Sequence, residues 1–108
     1  MIARIWHGRT AAAHADEYLE YMKQTGVKDI RAVEGNAAAY ILRRVRGDVA
    51  EFRFVSLWES FDAIRKFAGE EMEKAVYYPE DRRYLLEMEP EVSHFEVAEA
   101  ARAAAAEA

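Results

Sequence analysis

The hydrophobic pattern changes its period along the chain, and each change predicts a different element. Large residues alternate in part from Ile2 to Arg9, which predicts a first β-strand. Further on, apolar residues recur at the i, i+3, i+4 and i+7 spacing of one helix face. These residues are Ala15, Tyr18, Leu19 and Met22. Thr10 is the expected N-cap of this helix and Gly26 its expected stop.

A β-hairpin is predicted around Gly47-Asp48, a two-residue turn signal between two runs of strand-forming residues. This turn sets Arg44 opposite Glu51, and an opposite-charge pair across two strands favours that register. The segment from Gly26 to Asn36, which precedes the hairpin, is predicted to be a connection.

Alternation gives the hairpin two faces, and both are largely apolar away from the turn. One face carries Ala37, Ala39, Ile41, Val45, Ala50, Phe52, Phe54 and Trp58. The other carries Tyr40, Leu42, Val55 and Leu57. Small antiparallel sheets usually leave one face in water, and too little chain remains to cover a second apolar face. A second copy of the chain is the simplest cover, so a homodimer through the open sheet face is expected.

The second half of the chain predicts more helix and a last strand. Ser60 is an N-cap candidate for an apolar helical stripe that ends at Gly69. Residues 70–78 begin with acidic residues and are predicted to form another helix closed by Pro79. Residues 81–90 are compatible with a helical turn or an extended segment, and residues 92–99 predict a strand.

The element order is therefore β-α-β-β-α-β, which is typical of an α+β, ferredoxin-like fold with an antiparallel sheet. We expect one domain over residues 1–98, because 108 residues lie near the usual domain size. The alanine-rich tail, residues 99–108, is expected to be a frayed helix or disordered.

Composition excludes several classes of function. The net charge of −5 argues against nucleic-acid binding. With no cysteine, thiol catalysis and cysteine-based metal sites are excluded, and His7, His14 and His94 lack a metal-ligand spacing. No apolar run is long enough to span a membrane, and no signal peptide is recognisable. A cytoplasmic protein without a metal site is expected.

The stretch Leu57-Trp58-Glu59-Ser60, followed by a helix containing Phe61 and Phe67, resembles the antibiotic biosynthesis monooxygenase family. The resemblance extends from Ile2 to Val97, and "YYPED" (residues 77–81) is similar to a largely uncharacterised branch. It implies a dimeric α+β barrel, in which two sheets pack face to face, with a pocket between the sheet and the helices of each subunit. The family includes cofactor-free oxygenases of polyketide quinols, haem-degrading monooxygenases and isomerases.

The haem-degrading branch of this family differs from the chain at its characteristic positions. That branch has a tryptophan where this chain has Phe67, and a haem-ligating histidine where it has Tyr77. Its first-strand asparagine falls near Trp6 or His7. Because tyrosine can ligate ferric haem, haem stays an alternative to the expected absence of a cofactor.

The resemblance places candidate site residues along the chain. His7 is the candidate general base, and Tyr77 is the candidate hydrogen-bond donor to a phenolic or enolate substrate. The candidate substrate-binding residues are Trp6, Phe54, Trp58, Phe67, Tyr78 and His94. Each has a structural alternative: either tyrosine of the Tyr77-Tyr78 pair could pack in the core, as could Trp58, and isolated strand histidines are often structural. Asp81, with Arg82 and Arg83, is expected in a solvated turn.

Two functions follow from these residues. The first is a small cofactor-independent monooxygenase-like enzyme, or an isomerase or cyclase, acting on an aromatic or enolisable molecule. The second is a non-catalytic or haem-binding dimeric α+β barrel protein. The residue at the family's ligating position, Tyr77 rather than histidine, argues against haem without deciding whether the chain is catalytic.

Overall fold

A four-stranded antiparallel sheet forms the centre of the protein in the computed structural model, which describes residues 1–102. The strands lie in the order β2-β3-β1-β4. Their bounds are Ile2–Ala11 (β1), Asn36–Arg46 (β2), Val49–Trp58 (β3) and Ser93–Glu96 (β4). Two helical regions pack against the sheet face that carries Phe52 and Trp58. The fold is therefore the predicted α+β, ferredoxin-like arrangement.

The β2–β3 hairpin has the predicted register from Ala38 to Arg46. Arg44 lies opposite Glu51, and the Arg44 guanidinium is 2.9 Å from the Glu51 carboxylate. Gly47 occupies the turn with φ of 59°, a conformation that glycine adopts without strain. The predicted pairing is wrong only at the far end, where an irregularity between Asn36 and Ala38 sets Asn36 opposite Trp58.

The first helical region begins later and ends later than predicted. Thr10 is no N-cap, because β1 continues to Ala11 and the Thr10 side chain is buried in the strand. A 3₁₀ turn (Ala12–His14) leads into α1 (Ala15–Met22). The helix then widens into a π-helical segment (Lys23–Val27) and continues as α2 (Lys28–Arg31).

Gly26 does not stop this helix, although glycine is a common stop signal. Gly26 is buried, and a Cβ built there would lie 3.1 Å from the Phe54 ring. The residue therefore lets the helix approach the sheet closely, which is a packing role. As a result, residues 28–31 of the predicted connection are helical.

The second helical region begins where the sequence predicts. Helix α3 spans Phe61–Ala68, and the Ser60 hydroxyl oxygen accepts a hydrogen bond from the Ala63 backbone N–H at 3.2 Å. Gly69 ends it with φ of 83°. Both the N-cap and the stop are confirmed.

The predicted helix over residues 70–78 is wrong. Residues 72–73 form a turn, and residues 73–75 pair with residues 90–92 instead of continuing as a helix. The Ala75 N–H donates to the Pro90 carbonyl at 3.0 Å, and the Val92 N–H donates to the Glu73 carbonyl at 2.8 Å. A single helical turn, α4 (Asp81–Tyr84), follows Pro79. Tyr77 and Tyr78 therefore lie in chain without regular secondary structure, not at the end of a helix.

The last strand is shorter than predicted, since β4 covers only Ser93–Glu96. Residues 99–102 have no regular secondary structure, and the rest of the tail lies outside the described residues. Within the described part of the chain, no helix has the length and apolar character needed to cross a membrane.

The core lies on one face of the sheet and consists of two clusters. The first joins α1 to β3 and includes Tyr18, Met22 and Phe52. The second joins α2 and α3 to the end of β3 through Ile30, Trp58 and Ile64, which are its largest buried members. The opposite sheet face has no helix on it, and its Tyr40, Leu42 and Phe95 are 55%, 51% and 56% exposed.

Candidate functional site

A pocket opens between the covered sheet face, the first helical region and the extended segment after α3. Residues two apart on β1 and β3 form its floor, namely Arg4, Trp6, Phe54 and Ser56. Five predicted site residues line it: Trp6, Phe54, Phe67, Tyr77 and Tyr78. The cavity volume is about 50 Å³, which is small beside the roughly 300 Å³ of the smallest typical ligand pockets.

Tyr77 and Trp6 form a hydrogen-bonded aromatic pair in the wall of this pocket. The Trp6 indole N–H donates to the Tyr77 hydroxyl at 3.1 Å, and that hydroxyl donates to the Glu89 carbonyl at 2.5 Å. The two rings meet edge to face, with centroids 6.3 Å apart. Gly8 makes room for the indole, since a Cβ there would lie 2.3 Å from the Trp6 ring. Burial raises the pKa of Tyr77, so its hydroxyl stays protonated at neutral pH.

Tyr78 fixes the neighbouring part of the wall. Its hydroxyl donates to the Asp29 carboxylate at 2.7 Å, which ties the extended segment to α2. Burial and this hydrogen bond both raise the pKa of Tyr78. Tyr77 and Tyr78 both line the pocket, so two adjacent side chains contribute to one site.

Asp81 is buried at the pocket wall, and the expectation of a solvated turn is wrong for this residue. Only 5% of Asp81 is exposed. One carboxylate oxygen accepts from the Tyr18 hydroxyl at 2.9 Å, and the other from the Tyr78 backbone N–H at 2.6 Å. Burial raises the pKa of Asp81, while these two hydrogen bonds act in the opposite direction. The carboxylate is therefore a stronger base than an exposed aspartate.

Arg4 places a buried guanidinium at the same pocket, with only 4% of the residue exposed. The guanidinium donates to the carbonyls of Met72 and Lys74, the latter at 3.1 Å, and lies 3.0 Å from the Nε2 atom of His94. It also lies 5.9 Å from the centre of the Phe67 ring. Burial lowers the pKa of Arg4 to about 10, and the charge of Glu73 partly opposes this. Arg4 is still cationic at neutral pH.

Trp58 is a core residue that supports the pocket from behind. It is fully buried and does not line the cavity. Its indole N–H donates to the Ser56 hydroxyl oxygen at 2.8 Å, and its ring stacks on Phe67 with centroids 6.3 Å apart. Phe67 and Ser56 do line the pocket, so Trp58 positions both of them.

The two predicted histidines lie outside the pocket. His94 contacts Arg4 from β4 and meets the Phe61 ring edge to face at 6.0 Å. Burial and the Arg4 charge lower the pKa of His94. His7 lies on the open face of the sheet, where its Nδ1 atom is 3.8 Å from the Glu89 carboxylate. The sheet therefore separates the His7 ring from the cavity that Tyr77 lines.

Arg4, Tyr18 and Asp81 are pocket residues that sequence reasoning missed. Arg4 had a signal, because alternation along β1 puts it on the same face as Ile2 and Trp6. An arginine at an inward position of a strand is unusual and marks a buried polar contact. Asp81 had no local signal, since its partner Tyr18 is 63 residues away along the chain.

Comparison with known proteins defines the fold class. No protein-family profile and no curated protein matches the chain. Among solved structures, a Bacillus cereus protein named as an antibiotic biosynthesis monooxygenase aligns with a TM-score of 0.66 and 18% identity. The alignment covers 95% of this chain and 96% of that one. The chain therefore has the fold of an antibiotic biosynthesis monooxygenase-like α+β protein.

Two structures of the haem degrader MhuD have the same fold. MhuD from Mycobacterium tuberculosis with two haems in its active site aligns with a TM-score of 0.59 and 20% identity. The alignment covers 94% of this chain and 100% of the MhuD chain. A MhuD variant with two manganese protoporphyrins per active site aligns with a TM-score of 0.61 and 20% identity. This alignment covers 95% of this chain and 100% of the chain of the variant.

The pocket of this chain does not fit haem. The hydroxyl of Tyr77, the residue that the resemblance sets at the ligating position, donates to the Glu89 carbonyl and accepts from the Trp6 indole N–H. Its raised pKa disfavours the phenolate that would bind ferric iron. Within residues 1–102, no cluster of three or more histidine, aspartate or glutamate side chains could hold a metal ion.

Proposed function

We propose that this protein is a cofactor-independent monooxygenase-like enzyme that acts on an aromatic or enolisable small molecule in the pocket. The observation that carries the proposal is the buried carboxylate of Asp81, in an aromatic cavity and with a raised pKa. Such a group is a stronger general base than an exposed aspartate. We place the chain with the antibiotic biosynthesis monooxygenases, in the branch that carries "YYPED".

Asp81 removes a proton from an acidic C–H or phenolic O–H of the substrate in the first step. The Tyr77 hydroxyl, which Trp6 orients, turns its hydrogen from the Glu89 carbonyl to the resulting enolate or phenolate and stabilises that anion. The electron-rich anion then reacts with dioxygen. For a methylene group beside an aromatic ring or carbonyl, CH₂ and O₂ give C=O and H₂O. The substrate supplies all four electrons, so the balance requires no further reductant.

His7 has no part in this proposal, because it lies across the sheet from the cavity. Substrate entry requires the pocket to widen beyond its volume of about 50 Å³. The wall formed by Val76, Tyr77 and Tyr78 is the part that can yield. It belongs to no regular element, and a few hydrogen bonds of the Tyr77 and Tyr78 hydroxyls and of the Tyr78 backbone N–H hold it.

Oxygen uptake with an anthrone and a dihydroxynaphthalene, in the presence of a metal chelator, tests this function. We expect uptake by the wild type and a loss of roughly 100-fold or more in Asp81→Asn, as is typical when a general base is removed. Asparagine keeps an acceptor for the Tyr18 hydroxyl, so the fold should survive. The control is Asp62→Asn, since Asp62 is an exposed aspartate on α3. No uptake above buffer, or equal uptake by wild type and Asp81→Asn, contradicts the proposal.

A hemin titration separates this function from the second candidate, a protein that binds haem without the oxygenase reaction. The likeness to two porphyrin-bound MhuD structures is the observation that favours that candidate. Since Tyr77 is engaged by Trp6 and Glu89, we expect no saturable Soret band. A sharpened band that saturates at one haem per subunit would replace our proposal with haem binding.

We further propose that the open sheet face forms a homodimer, and that the dimer is a cytoplasmic protein that binds neither nucleic acid nor membrane. Tyr40, Leu42 and Phe95 are more than half exposed on this face, with Val55 and Leu57 between them. Large exposed apolar patches of this kind mark interaction surfaces. We expect light scattering to give twice the monomer mass at micromolar concentration. A monomer mass under those conditions removes the basis for the dimer.

A further inference from the structure

Arg4 is a buried cation at the pocket wall whose hydrogen-bond partners are all neutral. A guanidinium has five N–H donors, and here it gives hydrogen bonds to two backbone carbonyls, Met72 and Lys74, and contacts the His94 ring. In the part of the chain that the structure describes, no carboxylate lies within ion-pairing distance of it. Glu73, the nearest carboxylate to influence it, acts only at longer range and is exposed.

A buried charge without a counter-charge is costly, and a ligand can supply what the protein lacks. The pKa of Arg4, lowered to about 10, reflects that cost, yet the group stays positive at neutral pH. Arg4 lines the cavity from the third residue of β1, two residues before Trp6. The pocket therefore presents a positive charge next to aromatic surface.

Ser56 adds a second polar group beside Arg4. The two residues are directly opposed on β1 and β3, and both line the pocket. The Ser56 hydroxyl oxygen accepts from the Trp58 indole, and its own hydrogen is given to no acceptor within residues 1–102. Only 2% of Ser56 is exposed, so this donor serves the pocket and not bulk water.

We propose that the pocket recognises a small aromatic acid, with the anionic group of the ligand at Arg4 and Ser56 and its ring against Trp6, Phe54 and Phe67. This inference rests on the proposed function and names its substrate class. A planar carboxylate matches the forked donors of a guanidinium. Asp81, the anionic group of the same pocket, repels a second negative charge and so favours one ligand orientation.

Arg4 also has a structural role, because its bonds to residues 72 and 74 tie the extended segment to β1. A comparison of matched ligands on the wild-type protein is independent of that role. The probes are 2-naphthoate and 2-naphthamide, together with 4-hydroxybenzoate and 4-hydroxybenzamide. Each pair has the same shape and differs in charge.

The measurement is calorimetric binding at neutral pH, supported by quenching of tryptophan fluorescence, since Trp6 lines the pocket. We expect each acid to bind at least roughly tenfold more tightly than its amide, as charge-assisted bidentate contacts predict. Arg4→Gln should abolish this preference, and Arg4→Lys should retain part of it. The matched control is Arg65→Gln, because Arg65 pairs with Asp62 on the outer side of α3.

Equal affinities for acid and amide overturn the inference, as does a failure of both acids to bind at millimolar concentration. A preference that persists in Arg4→Gln also overturns it. If Arg4→Gln does not fold, the wild-type ligand pairs and Arg4→Lys still decide. Acid preference without oxygen uptake supports anion recognition and removes the oxygenase. Oxygen uptake with a neutral quinol, without a preference for acids over amides, supports the oxygenase and removes anion recognition.

Discussion

The two faces of the sheet come from the same strands and have opposite characters. On β1 and β3, the covered face carries Arg4, Trp6 and Ser56, which are polar or aromatic groups enclosed by helices and by the extended segment. The open face carries Val55 and Leu57, which no other part of the described chain covers. A period of two residues thus separates the candidate chemistry from the candidate interface.

Polar groups differ in burial between the two faces. On the covered face they are buried, and within residues 1–102 no buried side-chain nitrogen or oxygen lacks a hydrogen-bond partner. On the open face, charges gather near the hairpin turn, where Arg44 pairs with Glu51 and Arg9 with Glu87 at the surface. Such exposed pairs contribute little to stability. The helices that cover one face, and not the composition of the strands, enclose its polar groups in a pocket where they can act on a bound molecule.

The largest expected effect is the loss of stability when a core residue of the covered face is truncated. Phe52 is fully buried, so Phe52→Ala should lower the free energy of unfolding by about 3–5 kcal/mol. Val45→Ala on the same hairpin is the control, because Val45 is 53% exposed and its truncation should cost less than about 1 kcal/mol. Urea unfolding at one protein concentration measures both. Similar losses for the two variants would contradict the burial of Phe52 in the core.

A charge on the open face should break the proposed dimer. Leu42→Asp introduces a carboxylate at a site that is 51% exposed in the monomer and buried in the dimer. We expect the dissociation constant of the dimer to rise by roughly 100-fold or more, since an unpaired interfacial charge costs several kcal/mol. Val45→Asp, at a similarly exposed site on the other face, should leave the dimer intact. Sedimentation equilibrium distinguishes the two, and equal effects would place the interface elsewhere.

Removing the Tyr77 hydroxyl should destabilise the pocket wall moderately. Tyr77→Phe leaves the Trp6 indole N–H and the Glu89 carbonyl without their partner, so we expect a loss of about 1–3 kcal/mol. Tyr84→Phe is the matched control, because the Tyr84 hydroxyl contacts the exposed side chain of Glu17. Its loss should stay below about 1 kcal/mol. Chemical denaturation measures both values. An unchanged free energy of unfolding in Tyr77→Phe would contradict a stabilising role of these two hydrogen bonds.

The smallest expected effect is a pH dependence that comes from His94. Its pKa in the folded protein is lowered by burial and by Arg4, while Glu73 acts in the opposite direction. Between the ordinary histidine value of about 6.5 and the lowered one, the unfolded chain binds more protons than the folded chain. This contribution to stability is therefore complete above about pH 6.5 and is lost as the pH falls through the folded-state pKa.

His94→Gln tests this dependence, because glutamine retains an acceptor for the Arg4 guanidinium and does not titrate. We expect the drop in Tm between pH 7 and pH 5 to be smaller in this variant than in the wild type. His14→Gln, in the 3₁₀ turn and away from Arg4, is the control. An unchanged pH profile in His94→Gln would exclude the histidine as the source.

Local signals predicted the elements that depend on nearby residues. The Gly47 turn set the hairpin register because its two strands adjoin in sequence. Ser60 and Gly69 bounded α3 because caps act within one helical turn. The same reasoning failed at residues 70–78, where acidic residues and a following proline predicted a helix. Pairing with residues 90–92, a contact distant in sequence, satisfied the backbone in extended form instead.

The sequence by itself determined the element order and the two-faced hairpin, and the family resemblance named five residues that line the pocket. The element order and the two faces of the hairpin follow from periodicity, which records which side of an element faces the interior. Only the tertiary structure decided that Asp81 is buried under Tyr18 and that Arg4 meets neutral partners. It also decided that His7 faces away from the cavity. Burial and charge at a site depend on contacts between distant segments, and no local pattern encodes those contacts.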